Sequence, residues 1–218
     1  MNLAGTYKLQ LLDLGDNPYI NKLNSIGAAE SIKIVSSCLS VIQNNYSGAI
    51  SVGSHLDVTE CPELWLLKIQ SSYLESIDLS KNPKLNTLHI QSKPLKKLDL
   101  SNNVNLVSVE VCEPSNTVQF SLEELNISGL TKLETLNVRN NYLQTLDLTT
   151  NSALKTIKCY GNKIKVLDVS NCSALTSLDC SPMATLESLY VDASQKINYI
   201  TYNRSDDYIP AATNIVVR

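Results

Sequence analysis

Residues 143–184 read LQTLDLTTNSALKTIKCYGNK and then IKVLDVSNCSALTSLDCSPMA, two consecutive copies of one 21-residue pattern. Each copy is apolar at its first position and again at offsets 3, 5, 11, 14 and 16. In the first copy these positions hold Leu143, Leu146, Leu148, Leu154, Ile157 and Cys159; in the second they hold Ile164, Leu167, Val169, Leu175, Leu178 and Cys180.

The same offsets define repeats starting at Gly53, Leu74, Leu95, Leu122, Leu143, Ile164 and Leu186. Seven repeats of six positions make 42 sites, and all but Gly53 hold Leu, Ile, Val, Cys or Tyr. In a chain that is 43% hydrophobic, chance does not approach this. The period is 21 residues except after Leu95, where it is 27, and after Ile164, where it is 22. Self-similarity at such a period marks a leucine-rich repeat solenoid, an α/β superfold that is here mostly β. A solenoid grows by stacking, so all 218 residues are read as one domain.

Each repeat has two halves, LxxLDLSxN as in LKKLDLSNN from Leu95, and LxxLx[CVI]xxN as in LKTIKCYGN from Leu154. Both halves alternate apolar with polar residues, the mark of a strand buried on one face. Repetition sets each strand beside its equivalent in the next coil, so parallel sheets are expected. One sheet lines the concave face, with extended or 3₁₀ segments on the convex face, because half-turns this short leave no room for a helix. Asparagines recur at the bends, Asn82, Asn103 and Asn151 in one column and Asn141 and Asn162 in another. A buried amide there can both donate to and accept from backbone groups that the turn leaves unpaired.

Outside the regular repeats of 53–203, Leu9, Leu12, Leu14, Ile20 and Leu23 form a further copy, with Ser25 at the sixth position. Residues 1–52 otherwise read as irregular coils. Ile32–Ile34 and Leu39–Ile42 look like strand pieces with no definable phase. Only eight residues precede Leu9, too few for a cap, which implies further chain upstream. The 27-residue repeat loops out residues 112–120 around Pro114, Ser115 and Asn116, with Phe120 folding back onto the stack. Residues 204–218 are a closing segment, with a strand over Asn214–Arg218.

The net charge of -3 and the lack of a basic patch argue against nucleic acid. No apolar run reaches the roughly 20 residues of a membrane span. The opening MNLAGTYKLQ lacks a basic stretch followed by an apolar core, so no secretory signal is visible. Six cysteines include Cys159 and Cys180, one period apart in the column of Ile69, Ile90, Val111 and Val138, where thiols act as small buried hydrophobes. Stacked parallel side chains rarely reach disulfide geometry. No CxxC metal or redox motif is present.

The 21-residue repeats with LDLS halves and an LxxLxCxxN half resemble bacterial extracellular leucine-rich repeat proteins, the internalins and surface proteins of Bacteroidetes. The resemblance covers residues 53–203. It implies secretion or display at the cell surface and a role in adhesion or recognition, and it implies no catalytic residues. The chain departs from that family in lacking a visible signal, a cell-wall anchor and a helical N-terminal cap.

The aspartates Asp57, Asp78, Asp99, Asp147 and Asp168 form a column, with Asn126 replacing one. Each is expected to accept hydrogen bonds from the amide or hydroxyl two residues on, in preference to a calcium ladder, which stacks on glycine-rich nonapeptides. His89 projects from a front strand toward solvent, with no nucleophile elbow or glycine-rich loop beside it. No catalytic, cofactor or metal set emerges. The informative residues are those the pattern leaves free on the front strands. Lys68, His89, Glu110, Asn137, Arg139, Lys158, Tyr160, Asp179, Tyr199 and Thr201 are the candidate binding face. Interface hot spots favour Tyr, Trp and Arg, so Arg139, Tyr160 and Tyr199 lead, with Trp65 beside the first strand. The expected partner is a protein, less favourably a glycan, bound by a monomer or a weakly end-to-end associating chain. The competing expectation is a spacer in a larger surface protein, with no ligand of its own.

Overall fold

The computed structural model describes residues 2–3, 11–15, 22–23, 25–26, 31–36, 41–42, 50–51, 55–71, 74–112, 121–180, 183–195, 199–200 and 214–218. They wind as a solenoid of parallel β-strands. The front sheet has ten strands. From the C-terminal end it runs Tyr199–Ile200, Ser177–Asp179, Thr156–Lys158, Thr135–Asn137, Ser108–Val111, Thr87–Ser92, Leu66–Ser71, Val41–Ile42 and Lys22–Leu23. Ile50–Ser51 pairs with Leu66–Ser71 beyond Val41–Ile42.

Register follows the repeat. Leu67, Leu88, Val109, Leu136, Ile157, Leu178 and Ile200 stand side by side on successive strands. The 27-residue repeat keeps this register, Val109 opposite Leu136, so its excess lies beyond the strand. Residues 113–120, including Phe120, are outside the described residues. On the N-terminal side Leu23, Ile42 and Leu67 continue the column with steps of 19 and 25 residues. Those unequal steps explain why residues 26–52 escape a fixed period.

The back of the coil is more regular than expected. The LDLS halves form three short parallel sheets: Leu11–Gly15 with Ser31–Ser36 and His55–Glu60; Lys97–Asp99 with Glu124–Asn126; and Val166–Asp168 with Ser188–Val191 and Asn214–Val217. No 3₁₀ turn occurs among the described residues. Two linked turns make each bend instead. At one, Asn82 N donates to Leu79 O at 3.0 Å and Leu85 N to Asn82 O at 3.1 Å. The same pair recurs around Asn103, Leu130, Asn151 and Cys172. The shared central residue of each bend points inward.

Between the sheets runs one continuous core. From Leu56 to Val191 every repeat position is buried except Ile77, Leu125 and Val191, which are partly buried against it. Cys159 and Cys180 lie in that core as free thiols. Desolvation raises both thiol pKa values, that of Cys180 to about 11.

The asparagine columns pair coil to coil. Asn82 Nδ2 donates to Val58 O and Cys61 O at 2.9 and 2.8 Å, and Asn151 Nδ2 to Ile127 O and Leu130 O at 3.0 and 3.1 Å. Where the column changes residue, substitutes appear. Cys61 Sγ reaches Ile34 O at 3.4 Å, and Gln195 Nε2 reaches Val169 O and Cys172 O at 2.6 and 2.9 Å. Gln195 sits one position past the column, and its extra methylene spans the difference. The sequence pattern points to Ser194 there and misses this role.

Candidate functional site: the front sheet face

Alternation turns every second front-strand side chain outward, and register sets these side chains in rows. Lys68, His89, Glu110, Asn137, Lys158 and Asp179 occupy one row on six successive strands. Arg139 and Tyr160 form part of the next row, half-buried. Tyr199 pairs through its backbone with Ser177, and Thr201 lies outside the described residues.

The centre of the row is a packed polar network. His89 Nδ1 lies 3.4 Å from Glu110 Oε2. Gln91 Nε2 lies 2.8 Å from His89 Nε2. With the amide nitrogen donating, Nε2 is the acceptor and Nδ1 carries the proton facing the carboxylate. On the other side Glu110 Oε1 accepts from Asn137 Nδ2 at 3.0 Å and from Cys112 Sγ at 3.3 Å.

Three placements depart from the sequence reading. His89 leaves the front strand as expected, but its side chain is only 18% exposed. Desolvation therefore holds the imidazole below its usual pKa; Glu110 opposes this, while Lys68 and Arg139 add to it. Asn137 is 7% exposed although it points away from the core, because Glu110 and its neighbours cover it. Cys112, in an outward position, is fully buried, and its thiol is pushed up to about 12, first by desolvation and then by Glu110. Gln91 and Cys112 belong to the network through contacts across and along strands that no periodicity encodes.

The flanks differ from the centre. Lys68 and Lys158 are half-buried, and among the described residues neither ammonium has a hydrogen-bond or ion-pair partner. Lysines elsewhere on the molecule pair with the adjoining coil, as Lys84 with Glu63 at 2.7 Å, Lys97 with Glu124 at 2.7 Å and Lys155 with Glu134 at 2.8 Å. These surface pairs lie outside the candidate face and each contributes little.

The aspartate column is local in its bonding. Thr59, Thr149 and Ser170 donate both amide and hydroxyl to Asp57, Asp147 and Asp168, at 2.6–3.0 Å. Ser80 and Ser101 amides donate to Asp78 and Asp99 at 2.8 and 2.9 Å. Backbone and then side-chain hydrogen bonds hold the carboxyls of Asp78, Asp99 and Asp147 below the usual range. Among the described residues no group of three His, Cys, Asp or Glu side chains is placed to hold a metal. An open groove of ≈ 520 Å³ lies on the back, between Ile77, Leu98 and Leu125 and the Lys97–Glu124 pair. No helix among the described residues is long and apolar enough to cross a membrane.

No protein-family model and no curated protein matches the chain. Among solved structures it is similar to the functional domain of InlJ from Listeria monocytogenes, described as including a cysteine ladder. The TM-score is 0.62 and the identity 26%, over 88% of this chain and 43% of that one. The chain thus spans under half the length of the solved chain it resembles. The in-register stack of parallel strands, its apolar columns and this likeness together make the fold an internalin-like leucine-rich repeat solenoid.

Proposed function

We propose that this chain is a non-catalytic recognition module that binds a protein through its front sheet. The observation that carries the reading is the row from Lys68 to Asp179. Six adjacent strands present polar side chains that the structural repeat does not require. A rigid scaffold holding variable side chains in register binds with little ordering cost. The His89–Glu110–Asn137 network supports the same reading, since a preorganised polar centre confers specificity. The resemblance to internalins supports display at the cell surface and a role in adhesion.

A glycan ligand is less well supported, because Tyr160 is the one aromatic side chain described on this face. The spacer reading draws on the length of the solved relative, of which this chain matches 43%. Combined Arg139→Ala, Lys158→Ala and Tyr160→Ala replacement tests the proposal. Binding to a partner recovered by cross-linking is lost while the melting temperature stays nearly constant. Unaltered binding moves the interface off the front sheet, and failure to recover any partner favours the spacer.

A further inference from the structure

His89 meets a different partner at each ring nitrogen. Nδ1 lies 3.4 Å from Glu110 Oε2 on the next strand, and Nε2 lies 2.8 Å from Gln91 Nε2 two residues along its own strand. An ionised carboxylate only accepts and an amide nitrogen only donates, so the two contacts fix one protonation state. The ring is neutral, with its proton on Nδ1 and a lone pair on Nε2. Charges of both signs face it: Lys68 from one neighbouring strand, Glu110 from the other, and Arg139 from the coil beyond. Burial and the two cations favour the neutral ring, while Glu110 favours the charged one.

Resting on the front-sheet reading above for its use, though not for its chemistry, we propose that His89 and Gln91 form a proton-operated switch at the centre of the recognition face. A second proton binds the ring at Nε2, where it meets the N–H bonds of the Gln91 amide. Donor then faces donor, and one partner gives way. Glu110 is the fixed one, because its Oε1 already accepts from Asn137 Nδ2 at 3.0 Å and from Cys112 Sγ at 3.3 Å. Gln91 is the one that moves. It is half-buried, and a half-turn about its last torsion exchanges nitrogen for oxygen. Its Oε1 then accepts from the imidazolium, and its NH2 group takes the place that Oε1 held. Acidification thus makes two changes in the face. It adds a positive charge between Lys68 and Arg139, and it replaces an acceptor on Gln91 by a donor. The strands beneath stay paired, and a protein partner fitted to the neutral face is released in acid.

A pH titration of the isotope-labelled chain by NMR tests this without a partner. At about pH 7 long-range ring spectra are expected to show His89 neutral, with its proton on Nδ1. On acidification the His89 ring signals and the Gln91 side-chain amide signals are expected to shift together, with one midpoint. Replacements then give the direction. Gln91→Ala removes a donor that favours the neutral ring, and Gln91→Glu supplies an acceptor for the charged one, so both move the His89 midpoint to higher pH. Glu110→Gln removes the charge that favours the imidazolium and moves the midpoint to lower pH. A proton on Nε2 of the neutral ring, or a Gln91 amide that does not follow the ring, overturns the switch. So does a midpoint that fails to rise in the Gln91 variants or to fall in Glu110→Gln. All of these signals come from the free protein, so their failure leaves the recognition face to be decided by the Arg139, Lys158 and Tyr160 replacements.

Discussion

Asn103 Nδ2 donates to the carbonyl of Asn82 one coil below it, at 3.0 Å, and to Leu79 O at 2.9 Å. The Oδ1 atoms of Asn82, Asn103 and Asn151 are buried with no partner. This column therefore works through its donors alone. In the other column Asn141 and Asn162 use both ends, with Oδ1 accepting from Leu122 N and Leu143 N at 3.1 and 3.0 Å.

Donor-only bonding predicts an order of damage at Asn103. Replacement by Leu strands two carbonyls but adds apolar burial, and costs about 2–3 kcal/mol. Replacement by Asp turns the donor into a buried carboxylate facing two carbonyl oxygens, and costs on the order of 4 kcal/mol or more. Urea denaturation of the two variants measures the order. A milder effect for Asp would mean that the column does not work through donation.

Left-handed backbone makes a second prediction. Gly161 has φ +68° and Gly129 has φ +77°. A Cβ on Gly161 would collide with Asn140 Oδ1 and press on its backbone, whereas a Cβ on Gly129 meets open space. Gly129→Ala should cost about 1–2 kcal/mol, the strain of the backbone alone. Gly161→Ala should cost more, and equal unfolding midpoints would contradict the geometry.

The thiols and aspartates set opposite limbs of the pH–stability curve. Cys112 is held up to about 12 and Cys172 and Cys180 to about 11, each chiefly by burial. An unfolded thiol ionises near 8.5, so above that pH the unfolded state binds fewer protons than the folded one. Stability then falls as pH rises from about 9 toward 12. The aspartates Asp78, Asp99 and Asp147 are depressed by their turn hydrogen bonds, so their contribution is present above about pH 4 and lost on further acidification. Melting temperature against pH should be domed, and Cys159→Val with Cys180→Val should shallow the alkaline limb. Five of the six thiols are described, all buried, so a thiol reagent should modify at most one equivalent before unfolding.

Local bonding at the aspartates predicts a structural role. Asp147 accepts from Thr149 N and Oγ1 at 3.0 and 2.8 Å, and Asp147→Ala should cost about 1 kcal/mol. Millimolar calcium should leave the melting temperature unchanged. A calcium-dependent rise, lost in Asp147→Ala, would restore the ion-ladder interpretation.

The amino-acid sequence by itself determined the coil. A period of 21 residues with six apolar columns dictates parallel strands, their register and the burial of Cys159 and Cys180, because only one phase of a strand buries its apolar face. It also placed the Asp–Thr/Ser turns, whose partners are two residues apart. Tertiary structure decided what depends on neighbours a repeat away. His89 looks solvated in the sequence and is largely covered in the fold, because Glu110 and Gln91 close around it. Gln195 takes a ladder position that the pattern assigns to Ser194, because side-chain reach and not register sets which amide meets the carbonyls. The polar row from Lys68 to Asp179 emerges only when the strands that carry it are laid side by side. Periodicity records what each coil repeats; the chemistry of the face lies in how unlike residues on different coils meet.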